Sequence, residues 1–463
     1  MIYAIISAIL GTLAFFPLNL YLLGFIFLVP FFYYLYAEDD FWKIFLATLL
    51  FRVLFLSGSA YYAFEPIMWI FSISIFLALA LMVFILNRLF LNRRQARLFY
   101  IPILFLFFDL LQAEYSALPT YFLTLGNVLG SSPFVGLAKH GGLFSLEVFV
   151  VLVNLIFLFG WLKRQKLLNE KLFSVCVFIC LGSFFLLTLA LSDYFLKKST
   201  KNTSFTERHL SVTTVSIRSV IQNDLSEFIS DLRNVETELL LLPEELFVKP
   251  TNGAYELVQA SAVIKSLNLK ASYIVSTFHT FKDGKNYNTA ILFNKSGVII
   301  DQYDKNKLVF FGEYWPYNWR PLFYDFFKED PVFKNYAVFN HNNSFEAGKL
   351  KLMQDDGQMN SQIKIGTLIC VEGYYESMLN KYKDMGANII LNPVSNNWLS
   401  RGEKQFNYLS ANLYRIESIQ SGLPIAISGM DSFAGVFFPN GTEKIEKNEN
   451  SKNYKIVTQE VKY

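Results

Sequence analysis

Cysteine and histidine are scarce in this chain, and the scarcity narrows the chemistry open to it. Of three cysteines in 463 residues, Cys176 and Cys180 lie four apart within an apolar segment, where they read as small packing residues. Neither that pair nor the four scattered histidines, His140, His209, His279 and His341, makes a metal-ligand spacing, so no metal is expected. A net charge of +3 with no basic stripe among exposed aromatics excludes the field that tracks a phosphate backbone, and nucleic acid is not an expected partner. No basic leader precedes the first apolar run, which argues against a cleavable signal peptide. No Ser-His-Asp arrangement stands out either.

Charge is scarce only in one half. Of 41 Lys or Arg and 38 Asp or Glu, residues 1–195 hold 11 and 9. That part suits lipid, and residues 209–463 suit water, with a solvated linker over 196–208. Apolar stretches lie near residues 2–17, 20–36, 42–58, 66–86, 98–113, 143–162 and 172–192, about seven spans, most of them near the roughly 20 residues that cross a bilayer core. The connections Asn87 to Arg97 and Lys163 to Lys171 each carry four basic residues, while Ser57 to Glu65 carries none and Glu114 to His140 only Lys139. The positive-inside rule then makes the N-terminus cytoplasmic, and an odd number of spans puts residues after 195 on the other side. Arg52 and Asp109 are ionisable groups within spans. Arg52 is expected to pair internally or snorkel, with a lipid phosphate as the other possibility.

The polar half alternates short apolar runs with helical ones. Strands are predicted at 211–220, 238–242, 273–277, 289–294, 298–301, 364–370, 388–392, 424–428 and 434–438, and helices near 223–235, 254–268, 374–384 and 403–420, which makes the class α/β. Three strand ends carry polar groups that a purely structural strand would not need: Glu244 in Leu239-Leu-Leu-Leu-Pro-Glu-Glu245, Lys305 and Glu313 in Tyr303-Asp-Lys-Asn-Lys-Leu-Val-Phe-Phe-Gly-Glu313, and Cys370 in Leu368-Ile-Cys-Val-Glu372. A thiol at a strand's carboxyl end with a carboxylate beside it is what a cysteine acyl-transfer site needs. Each residue alone also has an ordinary structural reading, as a buried thiol, a helix-start acid or a loop lysine; their joint pattern favours function.

Glu, Lys and Cys in that order resemble the nitrilase, or carbon–nitrogen hydrolase, superfamily. With a multi-span first half, the chain resembles the apolipoprotein N-acyltransferases, also through Leu125-Gly-Asn-Val-Leu-Gly130, Gly141 to Asn154, Asn397-Trp398 and Arg415-Ile-Glu417. The resemblance implies a multi-span α-helical membrane domain plus an α/β, nitrilase-like αββα sandwich domain. It implies Cys370 as nucleophile, Glu244 as general base, Lys305 as the cation that stabilises the oxyanion, and Glu313 and Glu372 as supporting carboxylates. Asn397 and Trp398 are expected to shape the pocket, and Tyr314 and Trp315 belong to an aromatic loop, 311–319, suited to a membrane interface.

The implied reaction moves an acyl chain from a phospholipid donor, through a Cys thioester, to the N-terminal amine of a diacylglyceryl-cysteine lipoprotein. No cofactor is called for. The implied location is the bacterial cytoplasmic (inner) membrane, with the catalytic domain on the periplasmic side. Departures from the family pattern are Phe310 in place of proline, Glu245 in place of a small polar residue, Pro424 to Met430 in place of an Arg- and Asn-bearing tail, and no apolar eighth span up to Tyr463. These leave open a membrane-tethered amidase or an acyltransferase for another envelope substrate, and a non-catalytic membrane scaffold.

Overall fold

The computed structural model describes residues 1–16, 20–60, 66–90, 96–115, 121–165, most of 181–196, 209–219, 225–247, 254–309, 313, 347–354, 363–397, 399, 403–446 and 453–462. Two compact units divide the chain, one of residues 1–198 with 404–420, the other of 199–403 with 421–463.

The first unit is helical. Helices Ile2–Ala14, Leu28–Ala37, Phe41–Ser59, Pro66–Leu89, Arg97–Tyr115 and Ala138–Arg164 cover six of the apolar stretches; most of the stretch near 172–192 falls outside the described residues. Among the described residues three helical stretches, Phe41–Ser59, Ser72–Leu89 and Pro133–Arg164, are long and apolar enough to cross a membrane. Large apolar side chains such as Leu46, Ile103, Phe107, Phe144 and Phe157 stand exposed on these helices, which fits lipid as the surrounding solvent. Asp40 starts Phe41–Ser59 by accepting the Lys43 amide at 3.0 Å, which satisfies one of the orphan donors of the first turn.

Arg52 is buried and paired within the unit. Its Nε donates to Ser72 Oγ at 2.9 Å and its Nη2 to Gln112 Oε1 at 2.7 Å, with the guanidinium 4.0 Å from the Phe76 ring centre. Internal pairing is thus the outcome for this residue, because three polar or aromatic partners replace the water that the span excludes. Residues 404–420 of helix Glu403–Ser421 pack here too: Asn127 Nδ2 donates to Leu409 O at 3.1 Å, and Arg415 Nη1 to Gly130 O at 2.8 Å. The sequence groups this helix with the polar half by its composition; these bonds join residues 404–420 to the first unit.

The second unit is built on twelve described strands: β1 His209–Ile217, β2 Leu239–Leu241, β3 Tyr273–Lys282, β4 Lys285–Asn294, β5 Ile299–Asp304, β6 Leu352–Gln354, β7 Lys364–Thr367, β8 Ile389–Ser395, β9 Ile425–Met430, β10 Ala434–Phe437, β11 Glu443–Glu446 and β12 Tyr454–Lys462. Their order is β5-β4-β3-β2-β1-β9-β8-β7-β6, with β12 on β1, and β10 between β9 and β11. The middle pairs are parallel and the outer ones antiparallel. The sheet bends until its ends meet, where Asp301 at β5 accepts Gln354 N at 3.3 Å and Lys351 Nζ at 2.5 Å.

Period-two alternation makes two cores. Leu239, Leu241 and Val275 face inward with Leu292, Ile365, Leu391, Ala426 and Val461, in one cluster that draws on both arms of the bent sheet. Leu240, Leu242 and Ile274 face outward, against Phe228 and Leu232 of helix Leu225–Arg233 and Ala260 and Ile264 of helix Leu257–Leu267. On the other arm, helix Glu376–Asp384 seats Tyr382, whose hydroxyl donates to Thr367 O at 2.7 Å. Gly366 permits that seat, since a Cβ there would lie 2.5 Å from Ile390 Cδ1 and 2.9 Å from the Tyr382 ring. Helices lie outside and sheet surfaces within; the α/β class is the one expected from the strand and helix pattern, and the sandwich is the one the resemblance implies.

The nine strands read from the sequence all occur, with shifted ends. β12 is missing from that reading although it pairs with β1 along nine residues, because Tyr454 to Lys462 carries mostly polar side chains on a half-covered strand. β6 and β11, of three and four residues, are too short to give a pattern.

Candidate active site

Four chain segments of the second unit converge at the carboxyl ends of their strands. Glu244 follows β2, Lys305 follows β5, Cys370 follows β7, and Ser395 ends β8. Such ends are where backbone leaves the sheet and side chains become free to meet a ligand.

Lys305 is the hub. Its Nζ, with the side chain only 1% exposed, lies 2.7 Å from Glu313 Oε1 and 3.5 Å from Glu244 Oε1. Asn288, on β4, bridges the same two carboxylates, since its Nδ2 lies 3.0 Å from each Oε1. Glu313 is itself fixed by the Val309 amide, which donates to its Oε2 at 2.8 Å. Burial works against the Lys305 charge, yet Glu244, Glu313 and the Cys370 side hold its pKa well above the ordinary value, so the ammonium persists. Burial raises the Glu244 pKa, with Lys305 opposing and Glu245 and Glu313 adding to the rise. A carboxylate so placed accepts a proton more readily than a solvated one.

Cys370 is partly exposed. β7 stops at Thr367, three residues short of the strand end predicted from sequence, because the chain enters a tight turn over Cys370–Tyr374. Cys370 holds φ at +54°, a left-handed conformation that a side chain disfavours. Two polar residues hold the turn: Asn392 Nδ2 donates to Leu368 O at 2.5 Å and Cys370 O at 3.2 Å, and the Ile369 amide donates to Glu372 Oε2 at 2.8 Å. The sulfur faces the Ser395 carbonyl at 4.0 Å. Burial pushes the thiol pKa up, Glu244 adds to the rise, and Lys305 opposes it, so all three groups sit within one another's fields. Deprotonation therefore depends on a base at hand and a cation to receive the charge.

Glu372 supports from beneath. It is fully buried, and its carboxylate accepts Asn306 N at 2.6 Å, Lys307 N at 2.8 Å and the Tyr303 hydroxyl at 2.9 Å as well as Ile369 N. One side chain thus ties the lysine loop to the cysteine turn. Burial raises its pKa to about 7, against the three backbone amides.

Of the residues singled out in the sequence, the structure brings Cys370, Glu244, Lys305, Glu313 and Glu372 into one cluster. Asn397 lies at its edge, with Nδ2 donating to Glu245 Oε2 at 2.9 Å. Trp398, Tyr314 and Trp315, and all of the aromatic loop save Glu313, lie outside the described residues. Sequence reasoning gave no role to Asn288, Tyr303, Glu245 or Ser395. An asparagine inside β4, just ahead of its apolar run, is the available signal for Asn288, and Tyr303 serves in the sequence only to mark Lys305 within the Tyr-Asp-Lys string.

Comparison with known proteins matches both units. Residues 7–156 match the family described as apolipoprotein N-acyltransferase N-terminal domain, and residues 227–430 match the carbon–nitrogen hydrolase family. An apolipoprotein N-acyltransferase of Aquifex aeolicus is 26% identical over 339 residues, 70% of this chain and 67% of that protein. Apolipoprotein N-acyltransferase 1 of Treponema denticola is 26% identical over 218 residues, 41% of this chain and only 37% of its own length. Among solved structures, an amidase from Nesterenkonia sp. aligns over 56% of this chain and 94% of its own, at 14% identity and a TM-score of 0.37. The chain is an enzyme of the carbon–nitrogen hydrolase superfamily, and it is similar to apolipoprotein N-acyltransferases in both of its units.

Proposed function

We propose that this protein N-acylates lipoproteins, moving an acyl chain from a phospholipid to the α-amine of a diacylglyceryl-cysteine through a thioester on Cys370. The observation that carries the reading is the Glu244–Lys305–Glu313 cluster around the Cys370 thiol, on a chain that also holds the family's apolar helical half. Glu244 takes the thiol proton and the thiolate attacks the ester carbonyl of the phospholipid. Lys305 stabilises the oxyanion. The carbon–oxygen bond breaks, Glu244 returns the proton to the departing lysophospholipid oxygen, and the acyl group remains on sulfur.

In the second half, the acceptor amine attacks the thioester, Glu244 takes its proton, and the carbon–sulfur bond breaks to give the amide. The thiolate recovers the proton from Glu244. Neither half needs a metal or nucleotide. Residues 1–195, as a seven-span domain with a cytoplasmic N-terminus, would place residues 209–463 on the outer side of the bacterial cytoplasmic membrane. Both lipid substrates are anchored there, so neither must be drawn into water. Asn397 borders the substrate pocket in this reading.

Intact-mass measurement of the purified protein with phospholipid vesicles tests the scheme. An acyl adduct that hydroxylamine removes, present in the wild type and absent in Cys370→Ala, is the expected result. No adduct, or one that survives in Cys370→Ala, refutes the thioester; an adduct with unchanged envelope lipoprotein masses when the protein is lost refutes the acceptor.

A further inference from the structure

We propose that Glu245 is a positioning residue that fixes the loop after β8, and with it the Ser395 carbonyl, beside the Cys370 sulfur. The inference rests on Cys370 as the acyl-bearing nucleophile, and it gives a purpose to a residue that the sequence marks only as a departure from the family pattern.

Three hydrogen bonds converge on Glu245. Its amide donates to Thr277 Oγ1 on β3 at 3.2 Å, while its Oε2 accepts Ser395 Oγ at 2.8 Å and Asn397 Nδ2 at 2.9 Å. One carboxylate oxygen therefore binds the last residue of β8 and a residue of the loop after it to the turn that carries Glu244. Glu245 holds φ at +61°, where glycine would be unstrained and a side chain is not. Those three bonds are what offset the strain.

The consequence falls on Ser395, the residue whose side chain is bound by Glu245 and whose carbonyl oxygen lies 4.0 Å from the sulfur. A carbonyl oxygen only accepts hydrogen bonds, so it gives no help to an oxyanion and suits the N–H of an amine approaching the thioester. Held in place, it turns the nitrogen lone pair toward the acyl carbon; released, it leaves that approach to chance and uncovers the thiol. Glu245 thus acts through Ser395 on the second half-reaction more than on the first.

The test compares full-length wild type, Glu245→Ala and Glu245→Gln in detergent, with the Ser395→Ala/Asn397→Ala double variant as a second route to the same loss. Iodoacetamide alkylation of Cys370, followed by peptide mass, reads the position of the loop without requiring acyl transfer. Aminolysis of the acyl adduct by a synthetic diacylglyceryl-cysteine peptide reads the chemistry. In Glu245→Ala and the double variant, alkylation should rise at least about threefold and aminolysis should fall about 10²-fold, the scale of a misplacement near 1 Å. Glu245→Gln, whose amide oxygen accepts both loop donors, should recover both rates to within about threefold of wild type.

Equal alkylation rates across all variants overturn the proposal, and so does a Glu245→Gln enzyme as impaired as Glu245→Ala, which would assign the effect to charge. A wild type that alkylates at Cys370 but takes no acyl group refutes the acyl-transfer reading alone, and the alkylation rates still decide the role of Glu245.

Discussion

Lys305→Met removes the only side-chain cation seen between Glu244 and Glu313 among the described residues, while keeping most of the side chain's volume. With the lysine 1% exposed and its nitrogen 2.7 Å and 3.5 Å from the two carboxylates, the variant leaves buried Glu244 and half-buried Glu313 with Asn288 Nδ2 as the one donor they share, besides the Val309 amide on Glu313. Breaking a buried pair in this way costs about 3–5 kcal/mol, because the stranded charge keeps its desolvation penalty and loses its partner. In a domain of this size about 1 kcal/mol corresponds to roughly 2–4 °C, so the unfolding midpoint in detergent should fall on the order of 10 °C. Adduct formation should fall by at least about 10²–10³, the loss expected for one oxyanion donor. The double variant Lys305→Met/Glu313→Gln separates the two effects. It removes one of the two stranded charges, so at least about half of the lost stability should return, and none of the activity. A Lys305→Met protein that unfolds near the wild-type midpoint, or one that forms adduct at the wild-type rate, would refute the hub described for this lysine.

Other outcomes follow from the same contacts. Burial holds the Glu372 pKa at about 7 when folded, above its ordinary 4.5. Its contribution to stability is therefore full below about 4.5 and is lost as pH rises through about 7, some 3 kcal/mol in all. Glu372→Gln cannot titrate, so unfolding measured from pH 4.5 to 8 should move in the variant's favour by about that amount relative to wild type; parallel pH dependences would contradict it. Gly366→Ala should lower the midpoint through overpacking, at a cost of about 1–3 kcal/mol, since the new Cβ would lie 2.5 Å from Ile390 Cδ1. An unchanged midpoint would mean that helix Glu376–Asp384 shifts without penalty.

The parts of the fold legible in the sequence are those set by hydrophobic pattern. β2, β8 and β9 are buried on both faces and read as apolar runs, and helix Leu257–Leu267 shows its buried stripe of Ala260, Ile264 and Leu267. β12 escapes because its partner β1 lies about 240 residues away in sequence, so pairing rather than composition makes it a strand. The same division holds at the site. Cys370 and Glu244 are legible because each ends an apolar run with a reactive group, and Lys305 because it follows Tyr303-Asp304 beyond a strand end, whereas Asn288 and Tyr303 sit inside strands, and what identifies them is a partner supplied by another strand or turn.

Backbone strain marks the remaining boundary of what the sequence discloses. Neither Cys370 nor Glu245 is a residue type that favours positive φ, so neither strained position is signalled by a glycine of its own. Each strained position instead carries its own compensation: Asn392 and Glu372 hold the cysteine turn, and Thr277, Ser395 and Asn397 hold the glutamate turn. The two turns carry Cys370 and Glu244, the proposed nucleophile and base. Strain resisted by polar contacts on both sides keeps them from relaxing apart, and this preorganisation is what a proton transfer between thiol and carboxylate requires. Substitutions at these bonding partners should therefore reduce acyl transfer more than they reduce stability, in contrast to Gly366→Ala, whose cost falls on packing alone.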